Sequence, residues 1–341
     1  MNFNMLDKKL EQLLKENKVA GMSVAITDKE KIVYDRGFGI INAEHPEILT
    51  TSDTMYRMAS VTKIITGMTI LALAEKGALD IDVPVKNYIP WLTLSREGAA
   101  EQITLRSLLS HTSGLPKGSI TEGSRDEDTM EQSLKELLPE CEISDEGNFK
   151  YSNIGVSLAG LIASVVTGKT YSELASELVL KPLGMDVSTY DFHEAATYLY
   201  SLPHMDDEDG NLKVYHYIRM NTMFRASGGL YSNTIDMSKL ARCILNDGKS
   251  DNGQQIISSD LLSKMASPYS KAETDGDCYG LTMRLFKHKD RFLYGHSGAS
   301  KPYATSVIVD KKSGYGVVVL MNTYRLDLRT DIPKMIFDML G

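Results

Sequence analysis

What most limits the fold open to this chain is where its β-patterned segments lie. Two apolar, β-branched runs in "GMSVAITDKEKIVYDRGFGI" flank the turn-like Asp28-Lys29-Glu30 and read as a hairpin. Comparable runs return only near the other end, in "CYGLTMRLF", "RFLYGHSG", "YATSVIVD" and, after the turn "KKSG", "YGVVVLMN". The stretch between is mostly helical in spacing. Short connections and meander pairing favour one antiparallel sheet completed by both ends of the chain over two independent domains. The expected fold class is α/β in the α+β sense: an antiparallel sheet flanked by N- and C-terminal helices, with a large inserted, mainly helical lobe. In this reading residues 1–341 form a single domain, with an α/β lobe of about 1–65 plus 275–341 and a helical lobe of about 66–274.

The helices have their own signals. Leu6, Leu10, Leu13 and Leu14 follow helical spacing, which predicts an amphipathic first helix. From Ser60 the pattern is helical and nearly all apolar through "IITGMTILALAEKG", with Gly77 as its stop. A helix apolar on most sides is buried, so this one is expected to run through the middle of the molecule. "TLRSLLSHTSGLP" predicts a short helix stopped by Gly114 and Pro116, and "SNIGVSLAGLIASVVTGKT" a long apolar one ending at Gly168. Thr170 and Glu173 in "TYSELASELVL" form a capping-box pattern. "NTIDMSKLARCILNDG", "SSDLLSKMAS" and the closing "LRTDIPKMIFDML" predict three more helices.

Composition removes several function classes. The net charge is −8, so there is no basic footprint for nucleic acid. No run of about 18 apolar residues occurs, so no membrane-spanning helix is expected. Cys141, Cys243 and Cys278 are widely spaced and odd in number, like reduced thiols and unlike a disulfide frame or zinc site. The seven histidines follow no metal-ligand spacing, so neither a metal nor another cofactor is expected. No secretory signal is visible, which points to a cytoplasmic protein. The expected partners are a small-molecule or short-peptide substrate, and the chain itself as a monomer or small homo-oligomer.

Three short segments carry chemistry. Ser60 and Lys63 stand three apart at the start of the apolar helix and share a face, so the lysine can reach the hydroxyl. A serine becomes a nucleophile when a base takes its proton, and burial pushes a lysine toward its neutral, basic form. The helix N-terminus suits an anionic intermediate. The spacing alone also fits a capping serine and a surface lysine. Tyr151-Ser152-Asn153 precedes the long apolar helix, where Tyr151 can relay a proton and Asn153 offers both donor and acceptor. The alternative has Asn153 capping the helix and Tyr151 packed at its base. His296-Ser297-Gly298 ends a predicted strand, where glycine lets a ligand approach the backbone and Ala299 offers an N–H to an oxyanion. The alternative there is a turn with an incidental histidine.

With these motifs in this order, the chain resembles the serine β-lactamase and penicillin-binding-protein superfamily. More narrowly it is similar to the class C β-lactamase, DD-peptidase and family VIII esterase branch. The motifs Ser-x-x-Lys, Tyr-x-Asn and Lys/His-x-Gly stand here as Ser60–Lys63, Tyr151–Asn153 and His296–Gly298, and "TMYRMASVTK", "KPLGM" and "SGGLYSNTIDMSKLA" match the flanking phrases. The likeness covers nearly the whole chain and is weakest at 115–150 and about 186–225, where related enzymes differ in substrate. It implies Ser60 as the acylated nucleophile, and Lys63 and Tyr151 as managers of its proton. It also implies that Asn153 orients Lys63 or the substrate amide, and that the N–H groups of Ser60 and Ala299 form an oxyanion hole. His296 stands where efficient class C β-lactamases carry lysine. A histidine only partly charged near neutrality holds a carboxylate less surely. That leans toward peptidase, amidase or esterase activity, with esters turned over more readily than a cephalosporin. A non-hydrolytic penicillin-binding or sensor module is the alternative.

Other features carry less. "DDEDGN" at 206–211 lacks the carboxylate spacing of a calcium loop and reads as a solvated turn. His111 is expected to shape a helix end, and "SRDEDTMEQ" to form a charged loop at the rim of the cleft.

Overall fold

The computed structural model describes residues 2–118, 123–126, 129–144, 147–216, 221–271 and 276–341. The chain opens with helix α1 (Phe3–Glu16), capped by Asn2, which accepts from the Met5 N–H. Strands β1 (Gly21–Thr27) and β2 (Ile32–Gly39) follow as the expected hairpin, with Asp28 Oδ1 accepting from the Glu30 and Lys31 N–H groups in the turn. After β3 (Tyr56–Arg57) comes the buried α2 (Thr62–Glu75), then α3 (Leu105–Leu109) and α4 (Met130–Leu137). The long α5 (Asn153–Thr167) stops at Gly168, whose φ of 71° lies in the left-handed region that glycine adopts most readily. Helix α6 (Tyr171–Ala175) opens on the Thr170–Glu173 capping box and continues as a π-helical turn to Leu180. Next come α7 (Phe192–Ala195), the hairpin β4 (His204–Asp206) and β5 (Leu212–Val214), α8 (Arg225–Gly228) and β6 (Tyr231–Ser232). Then follow α9 (Thr234–Leu245), α10 (Ser259–Met265), β7 (Ser270–Lys271), β8 (Cys278–Tyr279), β9 (Arg284–His288), β10 (Arg291–Ser300), β11 (Tyr303–Asp310), β12 (Tyr315–Met321) and α11 (Leu328–Leu340).

Both ends of the chain build one antiparallel sheet of order β2-β1-β12-β11-β10-β9-β8-β7. Its closing pair is β1 against β12, from Met22 opposite Met321 to Thr27 opposite Gly316. Side chains alternate between faces along a strand, and here both faces are covered. Met22, Val24, Ile26, Val317, Val319 and Met321 pack with Leu6, Leu10, Ile332 and Ile336 under α1 and α11. Val318, Leu320, Val307 and Val309 face the other way, into a larger core shared with α2, α5 and α9. At about 25 cal/mol per Å² of apolar surface, burial on two faces is the main force holding the halves together.

Two readings change. "CYGLTMRLF" is two short strands, because the N–H of Leu281 goes to Met265 O and that of Thr282 to Leu109 O, which takes the chain out of the ladder. Helix α9 lies on β12, β1 and β11, and β7 extends the sheet, so this part of the inserted stretch belongs to the sheet layers. "DDEDGN" is a turn, as expected, between β4 and β5, with Asp207 Oδ1 accepting from the N–H groups of Asp209 and Asn211. Among the described residues no single helix is long and apolar enough to cross a membrane.

Candidate active site

The turn that carries Ser60, the candidate nucleophile, is a 3₁₀ segment, Ala59–Val61, feeding into α2. Ala59 has a φ of 48°, a conformation alanine seldom adopts, and it leaves Ser60 half-buried at the cleft between two fully buried neighbours. Strand β10 packs directly on this turn. A side chain at Gly298 would meet Met58 O and Thr305 Oγ1, each at 2.3 Å, so only glycine lets the strand approach. Thr305 Oγ1 donates to Met58 O at 2.8 Å and ties β11 to the same turn.

Lys63 is fully buried. Its Nζ lies 3.1 Å from Ser60 Oγ, 2.8 Å from Asn153 Oδ1 and 2.7 Å from Ser227 O. The last two are carbonyl oxygens and can only accept. A neutral amine has two N–H donors and one lone pair. Donating to Asn153 and Ser227 therefore leaves that lone pair facing the Ser60 hydroxyl. Burial first, and the charge of Lys117 second, hold the amine well below its ordinary pKa.

Tyr151 Oη donates to Ser60 Oγ at 2.8 Å from the other side. Burial raises its pKa, so the phenol keeps its proton. The α5 cap is Ser152, which accepts from the Gly155 N–H at 2.8 Å. Asn153 is thereby released from capping and turns its side chain to Lys63.

His296 is not partly charged near neutrality. It is buried, and that burial, with the nearby Lys63, pushes its pKa well below the ordinary histidine value. Nδ1 lies 2.7 Å from Ser297 O and must donate to it, and Nε2, 2.7 Å from Tyr279 Oη, must accept. Both nitrogens are engaged within the protein, so the ring presents no N–H to a substrate. The cations of the cleft are elsewhere. Arg284 on β9 and Arg329 on α11 line it with Lys117. Arg284 is bonded to Asp277, and Arg329 donates to Gly298 O at 3.1 Å.

The cleft encloses about 290 Å³ and brings together Ser60, Tyr151, Asn153, His296, Ser297 and Ala299, with Lys63 buried beneath Ser60. A groove of about 320 Å³ between Met130, Leu161 and Tyr171 is as large, but none of the three motifs lines it. Among the described residues, no three His, Cys, Asp or Glu side chains are placed to hold a metal. The rim expected at "SRDEDTMEQ" lies elsewhere: Arg125 and Asp126 face a concavity with Arg225 and Tyr190, and residues 127–128 are outside the described set. Sequence reading missed Tyr279, Arg284 and Arg329. The one available signal was the arginine within the otherwise apolar "LTMRLF"; Arg329, in "RLDLRTD", had none.

A family model described as Beta-lactamase matches residues 6–335. The chain is 27% identical over 330 residues to Protein flp of Staphylococcus aureus (strain N315), covering 93% of this chain and 62% of that protein. It is 27% identical over 275 residues to the putative penicillin-binding protein PbpX of Bacillus subtilis (strain 168), covering 78% and 63%. The chain thus spans less than two thirds of the length of these curated relatives. The octameric penicillin-binding protein homologue from Pyrococcus abyssi superposes with a TM-score of 0.88 at 26% identity, over 100% of this chain and 77% of that one. A class C beta-lactamase shares the fold, with a TM-score of 0.81 at 18% identity over 99% and 96% of the two chains. The match along almost the full length, on a fold that gathers the three motifs around one serine, makes this chain a member of the beta-lactamase family.

Proposed function

We propose that the protein is a serine hydrolase that works through an acyl-enzyme on an amide, ester or lactam carbonyl. The observation that carries this reading is the buried Lys63 amine, with two obligate acceptors on its N–H groups and its remaining contact to Ser60. Ser60 Oγ attacks the carbonyl carbon as its proton passes to Lys63 Nζ. The new C–O bond forms, and the carbonyl π pair moves onto oxygen, facing the N–H groups of Ser60 and Ala299. Collapse breaks the bond to the leaving amine or alkoxide, which takes the proton from Lys63 by way of Tyr151 Oη. Water then attacks the ester, its proton returns through the same pair, and Ser60 and the free acid are restored. Asn153 keeps Lys63 aimed. In this reading the sheet with its helices and the helical part act as one catalytic unit, each supplying one wall of the cleft.

The substrate reading follows the arginines. Because His296 is neutral and internally bonded, it offers a carboxylate no N–H and no charge, in keeping with the weak hold expected of it. Arg284 and Arg329 suit an anionic group close to the scissile carbonyl. The test is steady-state hydrolysis of paired substrates, a peptide or acyl ester ending in a free carboxylate and its methyl ester. The carboxylate form is expected to show the higher kcat/KM, and Ser60→Ala to abolish both. Equal rates for the two would remove the arginine reading. A stable adduct without turnover of any substrate would instead mark a binding module.

A further inference from the structure

We infer that His111 is a positioning residue that holds Tyr151 against Ser60, through the backbone on both sides of the tyrosine. Its carbonyl oxygen accepts from the N–H of Lys150 at 2.8 Å. Its ring Nδ1 accepts from the N–H of Ser152 at 3.1 Å. These are the residues immediately before and after Tyr151. Its ring also lies against the Tyr151 ring, with centroids 4.4 Å apart, and against Tyr279 at 4.6 Å. One residue therefore grips Tyr151 at three points.

The acceptor nitrogen, the burial and the backbone conformation of His111 fit this task, while its Nε2 is buried without a hydrogen-bond partner. An imidazole that accepts at Nδ1 must be neutral and carry its proton on Nε2. Complete burial keeps it neutral. Its φ of 59° is in the left-handed region, where histidine is uncommon. That conformation lets the carbonyl and the ring of the same residue reach N–H groups two positions apart. Ser152 is itself fully buried, so without Nδ1 its N–H would have no acceptor and the loop would shift to find one. A shift of about 1 Å at a group that must meet a reacting atom costs on the order of 10²-fold in rate.

The inference rests on reading Tyr151 as the residue that donates to Ser60, so the test has one readout that depends on that reading and one that does not. Asparagine is the conservative variant, because its Oδ1 sits where Nδ1 does and it tolerates positive φ. Glycine tolerates the φ and lacks the acceptor. Hydrogen exchange at the Ser152 amide should be slow in the wild type and His111→Asn and fast in His111→Gly, with all three shown folded by thermal melting. In the reaction of Ser60 with a fluorophosphonate, where Oγ bonds to phosphorus and fluoride leaves in the step that stands in for acylation, His111→Gly should lose about 10²-fold in the maximal rate with little change in half-saturating concentration. His111→Asn should recover most of that loss. Equal amide exchange in the three proteins would overturn the clamp. Fast exchange in His111→Gly with an unchanged acylation rate would overturn the link to Tyr151. If even the wild type takes up no probe, the hydrolase reading fails, and the exchange data still decide the clamp.

Discussion

Lys63 is the residue on which the proposed chemistry turns, and its state has a direct consequence for pH. The amine is held well below its ordinary pKa. Acylation of Ser60 should therefore fall as pH drops through that lowered value, where Lys63 gains a proton, and hold on its alkaline side. Lys63→Arg keeps a cation that cannot give up its proton. It should lose acylation as fully as Lys63→Ala, by about 10²–10⁴-fold, the usual worth of a general base. Stopped-flow acylation across pH checks both, and activity retained in Lys63→Arg would mean that the lysine acts only as a charge. The pairing of Ser60 with Lys63 was legible in the sequence because helical spacing alone puts the two on one face. The neutrality of His296 was not, since it comes first from burial that only the tertiary fold creates, and its ring bond to Tyr279 joins two strands.

At the scale of elements, the contact between β10 and the nucleophile turn matters most. Gly298→Ala puts a methyl carbon 2.3 Å from Met58 O and from Thr305 Oγ1. Strand and turn must separate, so the variant should lose about 1–3 kcal/mol of stability, together with most of its acylation rate. Thermal melting and fluorophosphonate kinetics measure the two. A variant as stable and as fast as wild type would show that the approach is not needed. The strands β1, β2, β11 and β12 were legible because each is a β-branched run bounded by turn residues. The break after Tyr279 was not, because its cause is the backbone of Met265 and Leu109, which the local sequence does not contain. Likewise "TIDMSKLARCIL" reads as a helix from its period, but only the tertiary fold seats α9 on the sheet.

At the scale of the whole molecule, the cleft takes Ser60 from the 3₁₀ turn before α2, Lys63 from α2, Tyr151 and Asn153 from the head of α5, and Arg329 from the last helix. The sheet brings these together because β1 and β12 pair across nearly the full length of the chain. Arg329→Gln should raise KM for a carboxylate-bearing substrate by about tenfold, the order expected for one charged hydrogen bond, and leave the neutral ester unchanged. Equal effects on both would mean that Arg329 serves only to hold Gly298. The three motifs were legible in order, yet the arginines facing them had no motif to mark them. The most direct measurement is intact-mass and peptide mapping after reaction with a penicillin or a fluorophosphonate. A single adduct on the peptide containing Ser60, absent in Ser60→Ala, is the predicted result; no adduct, or equal labelling of Ser60→Ala, would contradict it.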